Sequence, residues 1–290
     1  ISLSKESHIV EAFKQGINFT LTQLQLSVDS YVNIHSLSKL NKISELLALL
    51  RQGFWLFSKH LTQEEITLRD ELSYFIRTIH WVDNARYIQA LNNKQSSYQK
   101  ETSVSQLLIN KLQLTQNRYP NEAKVIALLH SERFNNLQLD LLSLLLNKSN
   151  EPQSQDSQSL ALFSAKCLTQ STDALSKELA KLPKPACPLS TELYLSAHSL
   201  LIRAVLTSSW FGYLFAESKS GTVKSFNMPW LDIKQGISEL QSLSLLQQQL
   251  AHLPNSEEKL VSWLVEKSDN LITALDQSRA KALSMKPYWS

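Results

Sequence analysis

Five glycines in 290 residues leave this chain few places to turn tightly. β-rich proteins use glycine in hairpins and bulges, where φ must be positive or two backbones approach closely. Their scarcity favours long helices joined by few loops. The apolar residues agree, because a helical period dominates throughout. Helices are expected at about 6–27, 30–59, 63–97, 101–116, 121–147, 157–181, 189–217, 231–252 and 256–284. Asp29-Ser30 is a candidate cap for the second, and Thr62 with Glu65 forms a capping box for the third. Pro120, the Pro183–Pro188 cluster, Pro229, Pro254 and Pro287 fall in expected connections, with Pro229-Trp230-Leu231-Asp232 read as a staple and cap into the next helix.

The segment from Asn147 to Ser159 is polar, rich in Ser and Gln, and has no apolar period. It reads as a linker at 149–159 between an N-terminal helical bundle, 1–148, and a C-terminal one, 160–290. Each half then holds four or five helices, the size of a four-helix bundle.

Charge and cysteine use narrow the function classes. Net charge is only +3, and residues 1–150 carry 16 Lys/Arg against 13 Asp/Glu, too slight a bias for a DNA-binding domain. Basic residues interleaved with aromatics, as single-stranded nucleic acid would need, are lacking. Cys167 and Cys187 lie too far apart for a metal knuckle, and reduced thiols are the simple reading. Apolar runs such as Leu46–Phe57 and Leu137–Leu146 are too short to span a bilayer and are interrupted by Arg51 and Asp140. No signal-peptide pattern opens the chain, so a cytoplasmic location is expected. A first residue of Ile rather than Met points to a longer parent protein.

The stretch Tyr31 to Leu46 carries the candidate chemistry. Positions 35, 39 and 42 are i, i+4 and i+7, so on one helix His35, Lys39 and Lys42 would project from one side. Such a row of cationic donors beside a packed core suits an anion, and it is equally what a solvated helix face looks like. Arg69, Arg77 and Arg86, on the next helix or just beyond, could extend it. The second half echoes this layout, with His198 on its own long helix. Both helices run on into aromatic ends, Phe54-Trp55-Leu56-Phe57 and Trp210-Phe211-Gly212-Tyr213-Leu214-Phe215, as an old duplication would leave them.

At these residues the chain resembles the CHAD family, α-helical domains in which a histidine followed by a ladder of Arg and Lys opens a helix once per half. A second point of likeness is Leu68 to Arg77 running into Trp81 to Leu91, similar to the helix pair that follows the histidine helix. The resemblance is nearest to the version fused behind a CYTH domain in bacterial inorganic triphosphatases. It implies an all-α fold of two pseudo-symmetric antiparallel bundles. It also implies a basic cavity between them that binds inorganic polyphosphate, with a CYTH catalytic domain in cis.

The ladder itself is depleted. The family expects basic residues about three, seven, eight and ten positions after each histidine. Those positions hold Ser38, Lys42, Ile43 and Glu45 in the first half, and Leu201, Val205, Leu206 and Ser208 in the second. The helical neighbours of His198 are apolar, which fits a neutral core histidine bonded to a backbone carbonyl better than a phosphate ligand. Arg203 lies elsewhere on that helix and is not expected to restore the row.

Catalytic signatures are lacking. There is no ExExK strand, Gly-rich phosphate loop, HExxH or GxSxG, and the adjacent pairs Glu64-Glu65 and Glu257-Glu258 diverge by about 100° on a helix. The expectation is a non-catalytic domain without metal or cofactor, accessory to an absent triphosphatase domain. Its phosphate-binding residues would be His35, Lys39, Lys42, Arg77, Arg86 and His198, with binding carried mainly by the first half. The competing expectation is a helical scaffold for interdomain or protein–protein contacts that has lost phosphate binding.

Overall fold

The computed structural model describes residues 1, 3, 7–92, 106–146, 159–181, 188–218, 220–250 and 258–289. The N-terminal half contributes α1 (Ile9–Asn33), α2 (Leu37–Leu56), a 3-10 turn (Ser58–His60), α3 (Gln63–Ile79), α4 (Trp81–Asn92), α5 (Gln106–Gln116), α6 (Glu122–Leu129) and α7 (Glu132–Leu146). The C-terminal half contributes α8 (Leu160–Ala180), α9 (Pro188–Phe211), a 3-10 segment (Gly212–Ser218), α10 (Ser220–Leu250) and α11 (Glu258–Ser284). Among the described residues there is no strand, as the glycine scarcity requires.

Local chemistry sets many of the boundaries. Thr62 and Glu65 form the expected capping box, with Thr62 N donating to Glu65 Oε2 at 2.7 Å and Glu65 N to Thr62 Oγ1 at 3.3 Å. Ser159 caps α8 by accepting from Leu162 N, and Asn121 caps α6 by accepting from Lys124 N. Other boundaries differ from expectation. Asp29-Ser30 caps nothing, because Val28 and Tyr31 continue the buried register of Leu21 and Leu24 and carry α1 on to Asn33. Ser36 is the cap of α2 instead, accepting from Lys39 N at 3.3 Å. The expected helix 63–97 breaks at His80 into α3 and α4, and 121–147 breaks at His130-Ser131 into α6 and α7. Pro229 lies inside α10 rather than ahead of a helix. Phe226, Trp230, Ile233 and Ile237 keep one buried register across it, and their packing offsets the missing N–H. The expected linker falls outside the described residues except for Ser159.

Within the halves α1 packs on α2 and α7, α2 on α3, α8 on α9, and α10 on both α9 and α11. Across them α2 packs on α9, α1 on α8, and α4 and α5 on α10. The main apolar core is continuous through both halves, and a smaller one joins Ile88 of α4 and Leu108 and Leu112 of α5 to Leu246, Leu250 and Leu260. The two aromatic helix ends seen in the sequence meet in the main core. Phe57 packs against Phe163, Trp210 and Phe211 at ring-centroid distances of 5.2, 5.5 and 5.8 Å.

Trp210 sits at the centre of this contact and is fully buried. Its ring lies in a slot between α1 and α2 where Gly16 and Gly53 face it, and a methyl at either glycine would overlap the ring. Its indole Nε1–H donates to the Leu49 carbonyl at 3.0 Å, and Gln52 Nε2 donates to Thr207 Oγ1 at 3.0 Å beside it. The two glycines have no turn to make: they are helix residues that admit another helix's tryptophan. Replacing an ordinary interior helix glycine by alanine stabilises by about 1 kcal/mol. Here Gly53→Ala should destabilise by about 2 kcal/mol through overpacking against Trp210. Urea denaturation reads the sign, and a neutral or stabilising result would show that Trp210 is not held in this slot.

Candidate functional site

The residues expected to form a cationic row have separate local roles. His35 is not on a helix; it lies in the connection between α1 and α2, just ahead of the Ser36 cap. Its Nδ1 is 2.8 Å from the Tyr31 carbonyl, so Nδ1–H donates there and Nε2 is left outward. Lys39 turns back to α1, where Nζ donates to the Ser30 carbonyl at 3.1 Å and to Ser30 Oγ at 2.6 Å. There it neutralises the negative end of the α1 dipole. Lys42 is exposed and only loosely paired with Glu45, at 4.0 Å. His35 borders an open cleft of about 800 Å³ with Tyr31, Trp81, Gln89, Tyr119 and Glu122, and neither lysine lines it. The geometric basis for the row, three positions on one helix, is therefore absent.

A different cluster forms where the halves meet. Arg77 at the end of α3 and Arg203 of α9 both lie within electrostatic reach of Arg51 on α2. Burial pushes the Arg51 guanidinium below its ordinary value, and the like charges of Arg203 and Arg77 push it further. It nonetheless stays charged near neutrality. None of the three side chains has a carboxylate within 4.0 Å among the described residues. Arg203 instead lies over the Trp55 ring, 5.7 Å from its centroid. Arg203 does not join the row of His198; it faces Trp55 on α2, a neighbour that its own helix cannot reveal.

Further along the seam the charges are mixed. Arg86 of α4, His198 of α9, Lys234 of α10 and Glu45 of α2 all act on Asp83 of α4. Burial raises the Asp83 carboxyl above its ordinary range, opposed by Arg86, His198 and Lys234 and assisted by Glu45. Burial lowers the His198 imidazole, opposed by Asp83 and assisted by Lys234. The partner of His198 is a side chain rather than the expected backbone carbonyl. Gln241 Nε2 approaches its Nδ1 at 3.5 Å, and Gln241 Oε1 accepts from Tyr87 OH at 2.8 Å. That chain links α4, α9 and α10, with the imidazole Nδ1 as acceptor when Gln241 Nε2 donates.

The structure thus brings Arg77, Arg86 and His198 to the seam and leaves His35, Lys39 and Lys42 near the start of α2. The sequence reading missed Arg51, Arg203, Lys234 and Asp83. Arg51 did carry a signal, a lone charge inside the apolar run Leu46–Phe57. No group of three His, Cys, Asp or Glu among the described residues could hold a metal ion. Cys167 is no ready nucleophile, since burial pushes its thiol up to about 11. No helix is long and apolar enough to cross a membrane, among the described residues.

No protein-family model matches the sequence, and no curated protein matches it. Solved structures do. The CHAD domain from the plant Ricinus communis matches with a TM-score of 0.69 at 18% identity, over 99% of this chain and 95% of that one. PptA from Streptomyces chartreusis matches with a TM-score of 0.64 at 12% identity, over 95% of this chain and 98% of that one.

The mixed end of the seam has a readable titration. His198 should titrate below its ordinary 6.5, fall further in Asp83→Asn and rise in Lys234→Ala, as followed by imidazole proton shifts. Because the folded state favours the neutral ring, its contribution to stability is complete above that ordinary value and is lost as pH falls below it. An unshifted His198, insensitive to both variants, would refute this placement.

Proposed function

We propose that this chain, a CHAD domain by fold, binds inorganic polyphosphate or a related phosphate polyanion at the seam between α2 and α9. One observation carries the reading: Arg77 and Arg203 both act on the half-buried Arg51, and none of the three has a carboxylate within 4.0 Å among the described residues. Clustering like charges costs free energy, more so when one is half-buried. An anion bound there removes that repulsion and accepts several charge-assisted hydrogen bonds at once. Guanidinium forks suit phosphate oxygens, and a rigid set of them suits a polymer with about one charge per phosphate.

Arg86 and Lys234 would extend the site along α4 and α10, with the neutral His198 beside them, while Asp83 and Glu45 limit how far bare phosphate can follow. His35, Lys39 and Lys42 lie outside the gathered cluster, and Lys39 is already committed to Ser30. Binding therefore draws on both halves rather than on the first alone. In a longer parent protein the domain would hold polyanion beside a triphosphatase domain of the CYTH type, which would supply the metal-assisted hydrolysis.

Titration of the chain with long-chain polyphosphate tests the reading. Arg51→Ala and Arg203→Ala should each weaken binding about tenfold, the scale of one lost charge-assisted contact. Lys39→Ala should change it far less. Equal effects of all three variants would move the site off the seam. No binding at low ionic strength would leave the helical scaffold as the better account.

A further inference from the structure

Trp55 is only partly covered by packing. It occupies α2 one turn beyond Arg51, within a sequence whose other aromatics, Phe54 and Phe57, are fully buried, yet it is 44% exposed. No other aromatic ring packs against it among the described residues, and the Arg203 guanidinium lies over it at 5.7 Å. Arg51 and Trp55 are i and i+4, so they share a helix face, and Arg203 reaches both from across the seam. An exposed indole at the edge of three unneutralised arginines offers two chemistries side by side. One is a flat apolar surface for an aromatic ring. The other is a set of forked donors for phosphate oxygens.

From this juxtaposition we infer that the seam takes a nucleoside polyphosphate, its base stacked on Trp55 and its phosphates held by Arg51, Arg77 and Arg203. The inference rests on the reading of the seam as a phosphate site and adds the organic end of the ligand. Stacking on an indole tolerates any base, so the class is defined by a base joined to a run of phosphates rather than by base identity. Bare polyphosphate would use the arginines and leave the ring idle.

Calorimetric titration of the full chain with ATP and with inorganic tripolyphosphate, at one ionic strength and without divalent cations, separates the possibilities. ATP should bind about tenfold more tightly than tripolyphosphate, the scale of one base stacked on an aromatic ring. Trp55→Leu should cost ATP about tenfold more than it costs tripolyphosphate, and Trp55→Phe should keep most of the difference. Equal affinity of the two ligands for the native chain overturns the inference and leaves the seam a plain phosphate site. A Trp55→Leu loss shared equally by both ligands also overturns it, since the ring would then serve only to hold Arg203. If neither ligand binds while long-chain polyphosphate does, the base contact is refuted and the phosphate reading stands. If no phosphate ligand binds, both fall together.

Discussion

The burial of Trp210 between Gly16 and Gly53 fixes the relation of the two halves. A side chain of that size, fully enclosed and hydrogen-bonded to the Leu49 carbonyl, leaves α9 a single way to lie on α2. The slot exists only because α1 and α2 present no Cβ there, so two of five glycines in the chain admit this one side chain. A second apolar cluster, built from α4, α5, α10 and α11, joins the halves again at a distance from the first. Apart from Arg77 on α3, the charges of the seam lie on helices held by these two contacts.

That arrangement lets the protein keep charges close that would otherwise move apart. Arg51, Arg77 and Arg203 gain nothing from one another, and in a looser structure their side chains would swing into solvent. Arg51 is half-buried on a helix pinned by Trp210, and Arg203 is steadied over the Trp55 ring. The repulsion is thus stored by packing and, on the proposed reading, would be released by a bound anion, which is how preorganisation adds affinity. The mixed end is tuned differently. Burial favours the neutral form of the His198 imidazole, so the cationic character of the seam rests on its arginines and Lys234.

Much of the fold was legible because its signals are local. The Thr62 capping box needs only four consecutive residues. Leu72, Phe75, Ile79 and Val82 form one unbroken buried register, which is why α3 and α4 read as a single helix despite the break at His80. Between Val125, Leu129 and Phe134 the spacing slips to five, a visible sign of the α6–α7 break that was not used. Proline at 229 misled for the opposite reason, since tertiary packing overrode its local preference. The candidate site was less legible. A helical wheel shows which residues share a face, but it cannot show which other helix that face meets. Arg203 looked displaced from His198 on its own helix, yet its partners are Arg51 and Trp55 on α2. His35 looked like the head of a ladder because the end of α1 was placed too early.

Arginine side-chain NMR tests most directly whether the seam binds phosphate polyanions. The Nε–Hε signals of Arg51, Arg77 and Arg203 should shift together on adding polyphosphate and saturate at one affinity, while Arg133, paired with Glu71 on the surface of the N-terminal half, stays in place. Shifts confined to residues around His35 and Lys39, or none at low ionic strength, would contradict a site built between the halves.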